Sequence, residues 1–147
     1  MSEPLPLVII GLNFGRHICE ELSQPENSRH VKLAGVCDLD ASKTAELSSQ
    51  YGIRAYPSLD AVLADPKVPA VGLFTGPAGR AELLGRIVRA GKDVMTTKPF
   101  ERDAGAARRI LDEAAALRRV IHLNSPAPEL PGALAAARGQ RETIVRG

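Results

Sequence analysis

The feature of this 147-residue chain that most restricts its fold is an uninterrupted apolar run that ends in a glycine. Residues 7–10 read Leu-Val-Ile-Ile and are followed at once by Gly11. Residues 14–22 then carry an apolar side chain at every fourth position, which is a helical spacing. A strand without polar residues is typical of a parallel sheet that is covered on both faces. The start of the chain therefore predicts a buried strand, a tight turn and a helix.

The same alternation of short apolar runs with longer amphipathic segments continues along the chain. Further strands are predicted at residues 31–37, 53–56, 70–74, 93–96 and 120–123, and further helices at residues 41–51, 59–64, 77–90 and 103–119. Strands that alternate with helices indicate the α/β class. We therefore expect a Rossmann fold, a doubly wound parallel sheet of about six strands in the order 3-2-1-4-5-6.

The regular alternation of predicted strands and helices stops after Asn124. Prolines at 126, 128 and 131 interrupt regular structure, a short Ala-rich helix follows, and residues 141–145 resemble the beginning of another strand. We expect residues 1–124 to form the dinucleotide-binding domain. Residues 125–147 are then a Pro-rich linker and the start of a substrate domain that is absent. The sequence leaves open whether the chain is a fragment or a natural single-domain protein.

Composition and charge narrow the class of protein. The chain has 44% hydrophobic and 24% charged residues, so it can build a core, and its net charge of +2 gives little reason to expect a nucleic-acid partner. Arg108, Arg109, Arg118 and Arg119 are interpreted as the solvated side of the last helix. The sequence shows no signal peptide and no long apolar run, so we expect no membrane partner and a cytoplasmic location.

Cysteine and histidine give no sign of a metal site. Cys19 and Cys37 lack C-x-x-C spacing and are interpreted as two reduced thiols. The three histidines, His17, His30 and His122, are too dispersed to form a ligand set, so no metal is predicted.

The turn after the first strand resembles the phosphate-binding template G-x-G-x-x-G, but only the first glycine is in place. Gly11 permits the tight turn from strand to helix. Asn13 stands at the second position, and because asparagine tolerates left-handed backbone angles it could replace glycine there. Gly15 could relieve crowding next to Arg16, which occupies the third position. Free N–H groups at the helix start would bind the phosphates. A glycine turn without a ligand is the alternative.

An acidic residue closes the second predicted strand. Asp38 lies 27 positions after Gly11, where a carboxylate can accept hydrogen bonds from both hydroxyls of the adenosine ribose. The same negative charge repels a 2′-phosphate, so NAD is favoured over NADP. Lys43 counts in the other direction, since a cation could bind that phosphate. Asp38 could also cap the helix that follows, although Asp40 is placed for the same task.

A lysine follows the fifth predicted strand. Lys98 would lie at the carboxyl end of a parallel strand, where this fold binds its ligands. Its ammonium could polarise a substrate hydroxyl or carbonyl oxygen during hydride transfer. A solvated surface cation is the alternative interpretation.

Taken together, the chain resembles the N-terminal part of the glucose–fructose oxidoreductase/inositol dehydrogenase/MocA family from about Leu5 to Asn124. The residues that carry the resemblance are Gly11-Leu12-Asn13-Phe14-Gly15-Arg16-His17, Val36-Cys37-Asp38, Tyr56-Pro57-Ser58-Leu59, residues 61–66, residues 70–75 with Pro77, and above all Ala90-Gly91-Lys92-Asp93-Val94 followed by Lys98-Pro99.

The resemblance implies an NAD(P)-dependent oxidoreductase that acts on sugars, cyclitols or related small molecules. It further implies that the cofactor is bound by Gly11, Asn13, Phe14, Gly15, Asp38, Thr75, Pro77 and Lys98. Lys98 would also touch the substrate and is the one catalytic candidate in this chain.

Three departures from the family pattern bear on activity. Thr97 stands where the family usually has a glutamate before Lys-Pro, and Gly79 and Arg80 occupy the stretch where a histidine is common. The second domain, which carries acid/base residues in the family, would begin where this chain stops. We therefore expect the isolated chain to bind dinucleotide and to be a poor catalyst. The alternative is a non-catalytic Rossmann module that senses NAD(H) or binds coenzyme A or another nucleotide.

Overall fold

The computed structural model describes residues 3–76, 78–97 and 103–124. In chain order these residues form β1 (Leu5–Ile10), α1 (Gly15–Leu22), a 3-10 turn (Pro25–Asn27), β2 (Val31–Cys37), α2 (Ala41–Tyr51), β3 (Arg54–Ala55), α3 (Leu59–Ala64), β4 (Ala70–Leu73), α4 (Arg80–Arg89), β5 (Asp93–Thr97), α5 (Ala104–Ala116) and β6 (Ile121–Asn124). The predicted linker at 125–147 lies outside the described residues.

The described strands form one parallel sheet in the order β3-β2-β1-β4-β5-β6. This order and the all-parallel pairing confirm the predicted Rossmann fold. Because every strand runs the same way, the carboxyl ends of β1, β2, β4 and β5 meet at one edge of the sheet. That edge is where ligands bind in this architecture.

The apolar run in β1 is buried on both faces, as the sequence predicted. Leu7 and Ile9 pack into one core with α1 and α2, and Val8 and Ile10 pack into the other with α3 and α4. Full burial of an aliphatic side chain contributes about 1.5–3 kcal/mol. The central strand therefore anchors the turn that follows it.

Two helices are shorter than predicted, and each difference has a backbone cause. Helix α4 begins at Arg80 because Gly79 precedes it with a left-handed φ of 68°. Helix α5 ends at Ala116 because the chain turns at Arg118, which has a φ of 57°. The interpretation of Arg119 as a solvated helix residue is wrong. Its guanidinium donates to the Gly91 carbonyl at 2.9 Å.

Two charged residues of the signature segment are structural. The Lys92 side chain is buried, and its Nζ donates to the carbonyl oxygens of Asp65 at 2.8 Å and Val68 at 2.6 Å. Asp93 is also buried and accepts from the Val120 N–H at 2.8 Å, which joins β5 to the start of β6. Lys92 thus binds the segment before β4, and Asp93 binds the segment before β6.

The two thiols are free and buried, as expected for reduced cysteines. Burial raises the pKa of Cys19 to about 12, so this thiol stays protonated. The pKa of Cys37 is raised as well, first by burial and then by the neighbouring charge of Asp38.

Candidate cofactor site

A cavity of about 430 Å³ opens at the carboxyl edge of the sheet. Its walls come from the β1–α1 turn, the end of β2, the start of α3 and the segment after β4. Four predicted cofactor-binding residues line it, namely Gly11, Asn13, Asp38 and Thr75. A smaller cavity of about 290 Å³ on the β3 side shares Asp38 and Leu39 with it.

Gly11 makes the turn after β1 possible. Its φ is +90°, a left-handed angle that disfavours side chains. A Cβ at this position would lie 2.8 Å from the carbonyl carbon of Phe74, so the turn also packs directly against the end of β4. The backbone angle of Gly11 confirms the prediction that the first glycine permits the tight turn from strand to helix.

The prediction that Asn13 takes left-handed angles in place of a glycine is wrong. Among the described residues Arg118 is the one non-glycine residue with a positive φ. Gly11 alone supplies the left-handed step, after which the chain enters α1 through right-handed angles at Phe14. Asn13 instead contributes its side chain, whose Oδ1 accepts a hydrogen bond from Lys43 Nζ.

Gly15 has a packing role at the start of α1. It is buried, and a Cβ there would lie 2.6 Å from Cγ2 of Ile9. This contact lets α1 approach β1 closely, which is the role assigned to the third glycine of the template. Gly15 therefore has this role, although it stands one position before the third glycine of the template.

The start of α1 offers donors for a negatively charged ligand. Phe14 is the N-cap residue, and its side chain makes no capping hydrogen bond. Within the described part of the chain, no acceptor contacts the backbone N–H groups of Asn13, Phe14 or Gly15. Orphan N–H groups and the helix dipole together favour phosphate at such a position. The Phe14 ring is held against Phe74 with centroids 5.4 Å apart.

Asp38 joins the end of β2 to the glycine turn. Its Oδ2 accepts from the Leu12 N–H at 2.6 Å, and its Oδ1 accepts from the Asp40 N–H at 2.8 Å. The residue that caps α2 is Asp40, whose Oδ1 accepts from the Ser42 N–H at 2.9 Å. Asp38 is therefore not needed as a cap for α2 and faces the cavity.

The β4 and β5 side of the site contains a residue that sequence reasoning missed. Thr75 follows β4 and lines the cavity, and its predicted contact with the cofactor stays a prediction. Pro77 and Lys98 lie outside the described residues. Arg80 is buried, and its guanidinium donates to the carbonyls of Thr75 and Thr97. An arginine early in an amphipathic helix gives no sequence signal of burial, so this contact was not predicted.

Two features are absent from the described residues. They contain no group of three or more His, Cys, Asp or Glu side chains that could hold a metal ion. No helix among them is long and apolar enough to cross a bilayer.

The sheet order, the glycine turn and the carboxylate at the end of β2 define a Rossmann domain of the dinucleotide-binding class. Residues 5–125 match the Gfo/Idh/MocA family model, described as an oxidoreductase family with an NAD-binding Rossmann fold. Since this match covers most of the chain, the protein belongs to that family, and the resemblance seen in the sequence is confirmed.

Individual relatives agree with this assignment. The chain is 34% identical over 83 residues to a UDP-N-acetylglucosamine 3-dehydrogenase of Acidithiobacillus ferrooxidans. It is 27% identical to the structure of GenD2 from gentamicin A biosynthesis in complex with NAD, with a TM-score of 0.75. Myo-inositol 2-dehydrogenase of Lactobacillus plantarum shares the fold at 19% identity, with a TM-score of 0.74.

The chain spans only part of these relatives. The aligned region is 56% of this chain but 26% of the Acidithiobacillus enzyme. The structural alignments cover 84% of this chain and 35% of GenD2, and 83% of this chain and 36% of the inositol dehydrogenase.

Proposed function

We propose that this chain binds NAD(H) in the 430 Å³ cavity as the cofactor-binding part of an oxidoreductase. The observation that carries the proposal is the hydrogen bond between Asp38 and the Leu12 N–H. It fixes the acid at the end of β2 and the glycine turn as one unit. Ribose and pyrophosphate are adjacent in a dinucleotide, so one rigid unit can bind both.

The adenosine ribose is assigned to Asp38. A carboxylate has about four acceptor positions, and the two backbone N–H groups occupy two of them. The remaining positions can accept from the 2′- and 3′-hydroxyls. A 2′-phosphate would meet the carboxylate's negative charge, so we infer a preference for NAD over NADP.

Lys43 works against that preference. Its Nζ is held by Asn13 Oδ1 near the mouth of the cavity. A cation in this place can attract a 2′-phosphate, so the discrimination against NADP is expected to be modest. The pyrophosphate is assigned to the N–H groups of Asn13 and Phe14, with Gly11 keeping the turn close to it.

The reaction we infer is hydride exchange between C4 of the nicotinamide and a carbon that bears a hydroxyl or a carbonyl. Lys98 is proposed to hydrogen-bond that oxygen and polarise it. The relatives named as sugar-nucleotide and inositol dehydrogenases support a sugar-like substrate. The acid/base residues and most substrate contacts are proposed to belong to a second domain, with residues 125–147 as the linker.

A non-catalytic sensor of NAD(H) is the second candidate. Thr97 in place of the family's usual glutamate favours it, because an acidic neighbour of the cofactor is lost. A sensor would bind NAD(H) in the same cavity and would not need Lys98.

Thermal denaturation with NAD+, NADH, NADP+, NADPH and coenzyme A tests the binding step that both candidates share. We expect stabilisation by NAD+ and NADH, a smaller effect of the phosphorylated forms and none from coenzyme A. At a hundredfold excess over Kd, a ligand adds about 2.7 kcal/mol to the free energy of unfolding. A preference for coenzyme A, or no response to any nucleotide, would contradict the proposal. In both candidates Lys98→Ala should leave NAD affinity nearly unchanged, so a large loss of affinity would contradict the role proposed for Lys98.

A further inference from the structure

A side-chain hydrogen bond closes the segment that follows β3. Tyr56 comes directly after β3, and its hydroxyl donates to Asp65 Oδ2 at 2.6 Å, nine positions further along the chain. The residues between them include α3. Three of these residues line the 430 Å³ cavity and are called the β3 wall below, namely Pro57, Ser58 and Leu59.

Tyr56 attaches the β3 wall to β2. Its side chain is buried, and its backbone N–H donates to the Val36 carbonyl at 2.9 Å. Its ring lies against Gly35, where a Cβ would come within 2.6 Å of the ring carbon Cε2. Gly35 and Val36 belong to the strand that ends at Asp38, so the wall and the proposed ribose acceptor share one support.

Asp65 is itself fixed in place to accept from the tyrosine. Its Oδ1 accepts from the Lys67 N–H at 2.9 Å, and its carbonyl oxygen accepts from Lys92 Nζ at 2.8 Å. Arg54 lies over the Tyr56 ring at 4.6 Å and pairs with Asp65 Oδ2 at 3.1 Å. The Tyr56 hydroxyl and the Lys67 N–H lower the pKa of Asp65, so it accepts as a carboxylate. A hydrogen bond to a charged acceptor is stronger than one between neutral groups.

Strand order places the β3 wall beside the adenosine half of the cofactor. β3 and β2 lie on one side of β1, and β4 and β5 lie on the other. With the ribose on Asp38, the attached base lies on the β2 and β3 side. Leu39 is fully exposed and lines the same cavity as Pro57 and Leu59, so apolar surface is available for the faces of a base.

We propose that Tyr56 and Asp65 are positioning residues for the adenosine half of the cofactor, and that their hydrogen bond holds the β3 wall where the base binds. This inference rests on the proposed function. The two side chains act through the wall and do not need to touch the cofactor. When the wall is released, part of the population cannot bind, and the apparent affinity falls by that fraction.

Four variants separate this role from general stability. Tyr56→Phe keeps the ring and removes the hydroxyl, and Asp65→Ala removes the acceptor. Asp65→Asn restores both contacts, because its oxygen can accept from the Lys67 N–H while its amide donates to the tyrosine oxygen. Gly52→Ala is the control, since it strains the end of α2 and a Cβ there meets nothing within 4 Å.

The experiment measures Kd for NADH by fluorescence titration and Kd for ADP-ribose by calorimetry on the full chain. ADP-ribose contains the adenosine half and lacks the nicotinamide ring. Thermal denaturation establishes that each variant is folded at the temperature of the titrations.

Tyr56→Phe and Asp65→Ala should each weaken NADH and ADP-ribose by the same factor, about three- to tenfold, as for one lost hydrogen bond. Combining the two substitutions should add little, because each removes the same contact. Asp65→Asn and Gly52→Ala should stay within about twofold of wild type for both ligands.

Folded Tyr56→Phe with wild-type affinities would overturn the inference and leave the proposed function standing. A larger loss for NADH than for ADP-ribose, or an equal loss in Gly52→Ala, would also overturn it, because the effect would then not be confined to the adenosine half. If Tyr56→Phe does not fold, equal affinities in Asp65→Ala and Asp65→Asn reject the positioning role. Wild-type chain that binds neither ligand rejects both proposals.

Discussion

The Asp38 carboxylate accepts a hydrogen bond from the Leu12 N–H at 2.6 Å, across 26 positions of sequence. The contact joins the end of β2 to the turn that follows β1. It places the acid proposed to bind ribose next to the N–H groups proposed to bind pyrophosphate. The site is therefore organised before any ligand arrives, which lowers the ordering cost of binding.

Replacing Asp38 should weaken NAD+ binding and relax cofactor choice. Asp38→Ala removes the acceptor for ribose and for the Leu12 N–H, so NAD+ affinity should fall by about tenfold or more, as for lost hydrogen bonds to a charged group. NADP+ should lose less, because its 2′-phosphate no longer meets the carboxylate. Calorimetry with both cofactors measures the change.

Asp40→Ala is the matched control for that variant. It removes the acidic cap of α2 and should cost about 1 kcal/mol of stability without changing the ratio of the two affinities. Equal shifts of that ratio in Asp38→Ala and Asp40→Ala would mean that Asp38 does not contact the ribose.

Lys43 gives a second test of cofactor choice. Its ammonium lies next to Asn13 at the cavity, so Lys43→Met should weaken NADP+ binding more than NAD+ binding. The expected loss for NADP+ is about two- to fivefold, the range for a partly exposed charge pair. The effect should shrink as salt is added, because salt screens exposed charges. An equal loss for both cofactors would assign Lys43 to the pyrophosphate instead.

Gly11 and Gly52 form a matched pair for testing the turn. Both have left-handed φ values, but a Cβ at Gly11 would meet the Phe74 backbone at 2.8 Å, whereas nothing lies within 4 Å at Gly52. Gly52→Ala should cost about 1 kcal/mol of stability from backbone strain alone. Gly11→Ala should cost more than about 2 kcal/mol and abolish NAD+ binding. Similar losses in the two variants, measured by urea unfolding, would contradict the close approach of the turn to β4.

The buried ammonium of Lys92 predicts a pH dependence of stability. Burial lowers the pKa of Lys92 below its ordinary value of 10.5. The folded state therefore releases this proton at a lower pH than the unfolded chain does. The burial penalty is fully present below the folded pKa and is relieved as pH rises towards 10.5.

Lys92→Met removes this titration while keeping a long apolar side chain. Relative to that variant, the wild type should gain free energy of unfolding as the pH rises towards 10.5, because the unfolded chain holds this proton to a higher pH than the folded state does. The comparison cancels the titration of the tyrosines and other groups that both proteins share. A difference that stays constant with pH, in urea unfolding at each pH, would refute the prediction.

The periodicity of the sequence was enough to predict the sheet, because a strand buried on both faces leaves an apolar run such as residues 7–10. Gly11 and Asp38 could be placed at the site for a related reason. Each stands directly after a predicted strand, and parallel strands end at the same edge. The apolar runs that predict the strands are therefore enough to place Gly11 and Asp38 at that edge.

The contacts of three charged side chains could not be predicted in the same way. Arg80, Lys92 and Arg119 make their hydrogen bonds to backbone carbonyls, which every residue possesses and no sequence pattern marks. Apart from Thr75, which is 5 positions from Arg80, their carbonyl partners are 17 to 28 positions away. The left-handed turn at Arg118 was also missed, since arginine has no preference for such angles.

Amide chemical shifts during a titration with NAD+ test the central claim most directly. In ¹H–¹⁵N spectra of the chain, NAD+ should produce saturable shifts of the amides of Leu12, Asn13, Phe14 and Gly15, together with those around Asp38. In Asp38→Ala the same shifts should require at least about tenfold more NAD+ to reach saturation. Saturating NAD+ that leaves these amides unmoved, or shifts confined to another face of the sheet, would contradict the account.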